Sequence, residues 1–113
     1  MEYIPVRHAQ IHKNSSTCSV YEYPTSHTHC SVAFIEINGR YPEQGWALNE
    51  VCTEMAYILN GVGTLVTPQK TITLSPQDLV LVSPGEQYYW EGTITMTISS
   101  TPAFYAEQHK III

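Results

Sequence analysis

Apolar and polar residues alternate along this chain in short runs: SVYEY (19–23), SVAFIEI (31–37), EMAYIL (54–59), GTLVT (63–67), TITL (71–74), DLVLV (78–82), QYYW (87–90) and TITMTIS (93–99). Each is rich in Val, Ile, Thr or Tyr, and a period of two in such residues marks half-buried strands. Between the runs stand Asn38-Gly39, Pro42, Gly45, Asn60-Gly61, Gly63, Pro68, Pro76, Pro84-Gly85 and Gly92, the residue types that turn a chain between strands. No amphipathic helical run intervenes. The pattern predicts an all-β domain of many strands, each roughly four to seven residues long. They would form an antiparallel sandwich or jelly roll that leaves few edges open.

Composition narrows this picture. A chain of 113 residues has room for one domain and one core. Ordinary apolar content, with two Trp, eight Tyr and two Phe, predicts a folded chain rather than a disordered one. The formal net charge of -5, with only five Lys and Arg, leaves no basic stripe for phosphates, so nucleic acid is not an expected partner. The start, MEYIPVRH, lacks the apolar run of a secretory signal, and no stretch is long and apolar enough to span a membrane. A cytoplasmic location is therefore expected. Cys18, Cys30 and Cys52 are odd in number and lack the spacing of a metal site, which predicts reduced, structural thiols.

Two segments carry a family resemblance. VCTEMAYILNG (51–61) and DLVLVSPGEQYYW (78–90) resemble the two signature segments of the cupins, in particular small single-domain members of the RmlC-like cupin superfamily. The first cupin motif runs Gly, five residues, His-x-His, three or four residues, Glu, six residues, Gly; Glu54 and Gly61 have the required separation. Its histidines would fall on Ala47 and Asn49 with the longer gap, or on Leu48 and Glu50 with the shorter one. The second motif lands on Gln77, Ser83, Gly85, Tyr88 and Gly92, and only Gly85 matches outright, supported by Asp78 and Pro84. The resemblance covers residues 31–105. It implies an antiparallel double-stranded β-helix, the cupin jelly-roll barrel, over 31–113, with residues 1–30 as an N-terminal arm that supplies an edge strand.

The resemblance also implies a metal centre of three imidazoles and one carboxylate, and here Glu54 alone survives. Asn49 is a weak amide ligand, and Tyr88 binds a metal well only when deprotonated. No cofactor is therefore expected. The alternative is a divalent transition metal held by His27, His29 and Glu54, because the two histidines of SHTHC stand two apart and would share a side of a strand. His8 and His12 are expected on an irregular arm, and His109 at the barrel mouth or a subunit contact.

Alternation places Ala56 and Ile58 on the inner face with Glu54, Ala47 with Asn49, and Trp90 with Tyr88, while Tyr89 turns outward. The pocket would then have an aromatic wall of Tyr88 and Trp90 and a polar end of Asn49 and Glu54. That mixture suits a small metabolite with one apolar face and several hydroxyl or amine groups, such as a carbohydrate. In the other register Glu50 would face Glu54, and two carboxylates would drive one pKa upward.

Two functions remain open. One is metal-independent binding of a small polar or carbohydrate-like metabolite by Asn49, Glu54, Tyr88 and Trp90. The other is a cupin enzyme, resembling the isomerases and epimerases, in which Glu54 and Tyr88 are candidate catalytic residues moving a proton. The lack of a Lys and Arg cluster argues against a diphosphate sugar as its substrate. Small cupins often pair through an added N-terminal strand, so a homodimer is expected. The apolar ending Ile111–Ile113 is expected to pack on the barrel or at the dimer seam.

Overall fold

The alternating runs pair as antiparallel strands in the computed structural model, which describes every residue from Met1 to Ile113. The strands are β1 (Gln10–Ser15), β2 (Cys18–Glu22), β3 (Ser31–Tyr41), β4 (Trp46–Asn49), β5 (Thr53–Val66), β6 (Thr71–Leu74), β7 (Leu79–Val82), β8 (Tyr89–Thr101) and β9 (His109–Ile112). Two single 3-10 turns, Val6–His8 and Ala106–Gln108, are the only helical segments, and no helix is long and apolar enough to cross a membrane. The main sheet runs β1-β2-β3-β8-β5-β6, with β7 also paired to β5. A second, two-stranded sheet pairs β4 with β9 and touches the first through the Ala47–Tyr88 bridge. The result is the all-β antiparallel jelly-roll barrel that the pattern predicts.

Three strands are much longer than expected, because several apparent turn signals lie inside them. Gly39 in β3, Gly92 in β8 and Gly63 in β5 stand in register across the sheet. A Cβ on Gly92 would sit 2.5 Å from the Val62 carbonyl oxygen, so these strands approach each other too closely for any side chain there. Asn60-Gly61 is likewise no hairpin turn. It belongs to a bulge in β5, where Leu59 has no partner between the pairs Ile58–Met96 and Asn60–Thr95. The extra residue reverses the alternation: Glu54, Ala56 and Ile58 are buried before it, and Leu65 after it.

Inward rows run straight across the paired strands. Val20, Ile35, Met96 and Ile58 form one row; Cys18, Ile37 and Ile94 begin the next. Each fully buried Ile or Met contributes about 1.5–3 kcal/mol by leaving water, and the same rows line the cavity described below. The segment expected to be an irregular arm instead forms β1, with His12 in the strand and 3.7 Å from Glu22. Its sequence hides the strand because every residue from Gln10 to Asn14 is exposed, so no apolar alternation marks it.

The C-terminal isoleucines have a defined place: Ile112 pairs with Trp46 and Ile111 with Ala47. Deleting residues 111–113 is expected to remove about 1–2 kcal/mol of pairing and packing and lower Tm by roughly 5 °C. An unchanged Tm by calorimetry would mean that β4 holds its position without β9.

Candidate functional site

Five strands bring one polar group of each kind to the same end of the barrel. Glu54 lies on β5 opposite Ser100 of β8, Asn49 closes β4 opposite His109 of β9, and Tyr41 ends β3 opposite Trp90. Tyr88, just ahead of β8, is bridged to Ala47. Asn49 is fully buried, Glu54 is 8% exposed, and Tyr88 and Trp90 are 3% exposed. Tyr41, Glu54, Tyr88, Trp90, Ser100 and His109 face a cavity of about 270 Å³ whose wall also includes Cys18, Val20, Ile35, Met96 and Phe104. No Lys or Arg contributes to the wall.

Hydrogen bonds link most of the polar end. Asn49 Nδ2 donates to Glu54 Oε1 at 2.8 Å, and Ser100 Oγ donates to Glu54 Oε2 at 3.2 Å. Gln108 Nε2 donates to Asn49 Oδ1 at 2.9 Å, while Gln108 Oε1 accepts the backbone amides of Val51 and Cys52 at 3.2 and 3.0 Å. His109 Nδ1 lies 3.0 Å from Asn49 Oδ1, and its Nε2 lies 2.9 Å from the Tyr41 hydroxyl. Buried polar groups without partners would each cost about 1–3 kcal/mol, so this network is what makes a polar barrel end tolerable.

Burial shifts these groups away from their charged forms. It raises the Glu54 pKa above the usual 4.5, and the Asn49, Ser100 and Tyr88 side chains only partly oppose it. Burial raises Tyr41 to about 12, with the negative charges of Cys18 and Glu54 adding to the effect. Tyr88 is pushed well above its ordinary value of 10, by burial first and Glu54 second. Burial lowers His109 below 6.5, so it is neutral at pH 7. The polar end thus offers one carboxyl group, one neutral imidazole and two neutral phenols.

Of the residues singled out from the sequence, Asn49, Glu54, Tyr88 and Trp90 come together. The structure selects Asn49 over Glu50 as the inward residue, since Glu50 is exposed and 3.9 Å from Lys110. Asn49 stands behind the cavity wall and acts on it through Glu54 and His109. Trp90 packs edge to face on Tyr88, with ring centres 6.1 Å apart. Tyr89 is only half-buried, stacked under Arg40.

The histidine pair is corrected. Residues 23–30 form no strand, so His27 and His29 do not share a strand face, and both are exposed. His27 lies at the cavity mouth, 3.8 Å from Glu2. No three His, Cys, Asp or Glu side chains cluster with metal-ligand geometry in this structure. The donors gathered around Glu54 are also a poor fit to a transition metal: the motif positions supply one carboxylate, one amide and one phenol, and the one nearby imidazole, His109, has both nitrogens engaged.

Sequence reasoning missed Tyr41, Ser100 and Gln108, and placed His109 at the barrel mouth or a subunit contact. Ser100 directly follows the predicted last strand, TITMTIS, but its pairing with Glu54 requires the register. Tyr41 and Gln108 lie outside both motif segments and carry no local signal.

A closed antiparallel barrel with this inward-facing end defines the cupin fold, and the chain is a small single-domain protein of that fold. A uridine-bound variant of Streptomyces Pac13, a nucleoside dehydratase, superposes with a TM-score of 0.88 at 15% identity, covering 100% of this chain and 92% of that one. Ectoine synthase from P. lautus aligns with a TM-score of 0.67 at 14% identity over 89% of this chain and 80% of its own. KdgF from Halomonas sp. aligns at 0.69 and 9% identity, over 89% and 94% of the two chains. Identities this low establish a common fold. No protein-family model matches the chain, and no curated protein matches its sequence.

Proposed function

We propose that the barrel binds a small, uncharged, hydroxyl-bearing metabolite and moves a proton on it, without a transition metal, using Glu54 as the base. The observation that carries this reading is a carboxyl group held at the polar end of a largely apolar cavity, with its pKa raised by burial and no Lys or Arg in the wall. A phosphate or carboxylate on the ligand would meet Glu22 and Glu54 with nothing to neutralise it. Trp90 and Tyr88 offer faces or edges for a ring to pack on. A nucleoside suits these features, and the likeness to Pac13, described as a nucleoside dehydratase and seen with uridine, makes uridine the first probe.

A plain binding protein is the second reading. It is favoured by Tyr88 and Trp90, which are as buried as ordinary core residues. Residues 1–30, whose β1 forms an exposed sheet edge, and the exposed outer residues Met55, Tyr57, Leu79 and Leu81 support pairing into a homodimer.

Titration calorimetry with uridine and uridine 5′-monophosphate tests the reading. Uridine is expected to bind at least about tenfold more tightly than its monophosphate. Equal or tighter binding of the monophosphate would sink the uncharged-ligand reading, and a stoichiometric transition metal in the purified protein would sink the metal-free one. Uridine binding without any exchange of its carbon-bound hydrogens with D2O would favour the plain binding protein.

A further inference from the structure

We propose that Tyr41 and His109 form a second acid–base pair of the cavity, and that Gln108 and Asn49 are positioning residues that fix the His109 tautomer. In this pair His109 Nε2 takes the Tyr41 phenol proton as Tyr41 takes a proton from a ligand hydroxyl. The proposal rests on the reading of the barrel as a proton-transfer site, and extends it to a second wall that neither cupin motif covers.

The argument begins at the backbone. The amides of Val51 and Cys52 are donors only, and both point at one atom of the Gln108 side chain, which must therefore be its oxygen. The other terminal atom is then the amide nitrogen, a donor, 2.9 Å from Asn49. Asn49 must present its oxygen to Gln108, which turns its own nitrogen toward Glu54. The same Asn49 oxygen lies 3.0 Å from His109 Nδ1, so Nδ1 carries the hydrogen. A neutral imidazole has only one N–H. Nε2 is consequently a bare lone pair, and the Tyr41 hydroxyl 2.9 Å away donates to it. Two backbone amides of the loop between β4 and β5 thus set the protonation of a ring on β9 through two side-chain amides. Reversing either amide would leave a donor facing a donor in a buried place, at a cost of about 1–3 kcal/mol.

The proton balance closes without any further reagent. The ligand O–H bond breaks with its electron pair left on the ligand oxygen, and that proton bonds to the Tyr41 oxygen. The original Tyr41 proton bonds to His109 Nε2, giving an imidazolium that keeps its Nδ1–H bond to Asn49. Glu54, bonded to the other end of the same Asn49 side chain, supplies the compensating negative charge. Return of the proton by the same route restores both groups. Burial holds His109 neutral in the resting state, so its lone pair is available at pH 7. Tyr41 and His109 both line the cavity, and their rings are nearly parallel at 6.2 Å.

The tautomer is observable without any ligand. In two-bond 1H–15N correlation spectra of the full 15N-labelled chain at pH 7.5, His109 is expected to show a protonated Nδ1 and an unprotonated Nε2. The variant Gln108→Glu still accepts from the backbone amides but turns an acceptor toward Asn49, so Asn49 is expected to reverse, its oxygen then accepting from a protonated Glu54, and the tautomer to invert to Nε2–H. Tyr41→Phe removes the phenol but not the Asn49 contact, and is expected to retain Nδ1–H while binding uridine about tenfold more weakly. An Nε2–H or doubly protonated His109 in the wild type would overturn the assignment whether or not Gln108→Glu folds, and so would inversion in Tyr41→Phe. Unchanged uridine affinity in Tyr41→Phe would overturn the contact between Tyr41 and ligand. Failure of the wild type to bind uridine at all would count against the proposed function and leave the tautomer result standing.

Discussion

Glu54→Gln is expected to slow proton transfer a hundredfold or more while making the protein more stable at pH 7. The first effect follows from removing the only carboxylate at the polar end, since a positioned base contributes about 10²–10⁴ in rate. The second follows from the same burial that tunes the group. Gln keeps the shape, accepts from Asn49 and donates to Ser100, but carries no charge that must be desolvated. A gain of about 1 kcal/mol is typical where a functional charge is neutralised, corresponding to roughly 5 °C in Tm.

The pH dependence gives the sign independently. The folded pKa of Glu54 is raised above its unfolded value of 4.5, so the native state binds more protons than the unfolded state in the interval between the two. The stability contributed by the neutral carboxyl is fully present below pH 4.5 and is lost as pH rises through the folded value. The Tm advantage of Glu54→Gln should therefore vanish below pH 4.5 and grow toward pH 7. His109, whose pKa is lowered, pulls the other way: its contribution is present above 6.5 and lost as pH falls. Both proteins share His109, so the difference between their Tm profiles isolates Glu54. A difference that is flat with pH, or largest at pH 4, would mean that Glu54 is not buried as an acid.

Much of the barrel was legible because its rows obey a period of two. Glu54, Ala56 and Ile58, and separately Ala47 and Asn49, turn inward as alternation predicts. The site was legible only along single strands. Tyr41, Ser100 and His109 meet Asn49 and Glu54 through cross-strand register, which depends on how far each strand slides against its neighbour. Local sequence does not record that offset. The bulge at Leu59 shows the second limit, because one unpaired residue inverts the inward face of everything after it, and Asn-Gly reads equally well as a hairpin turn.

That bulge also carries a large expected stability effect. Gly61 has φ +94°, and a Cβ there would stand 1.9 Å from the Thr93 carbonyl oxygen and 2.9 Å from its carbon. Both obstacles are backbone of the neighbouring strand β8, so no side-chain rotation relieves them, and β8 carries Trp90 and Ser100 of the site. Gly61→Ala must then separate β5 from β8 or fail to fold, a loss beyond about 4 kcal/mol. Gly85 provides the control. Its φ of +84° is just as unfavourable for alanine, yet nothing lies within 4 Å of its Cβ position. Gly85→Ala should cost only the backbone strain, about 1–2 kcal/mol. Denaturant titration of the two variants separates conformation from contact. Equal losses would show that positive φ alone, and not the approach of β8, requires glycine at position 61.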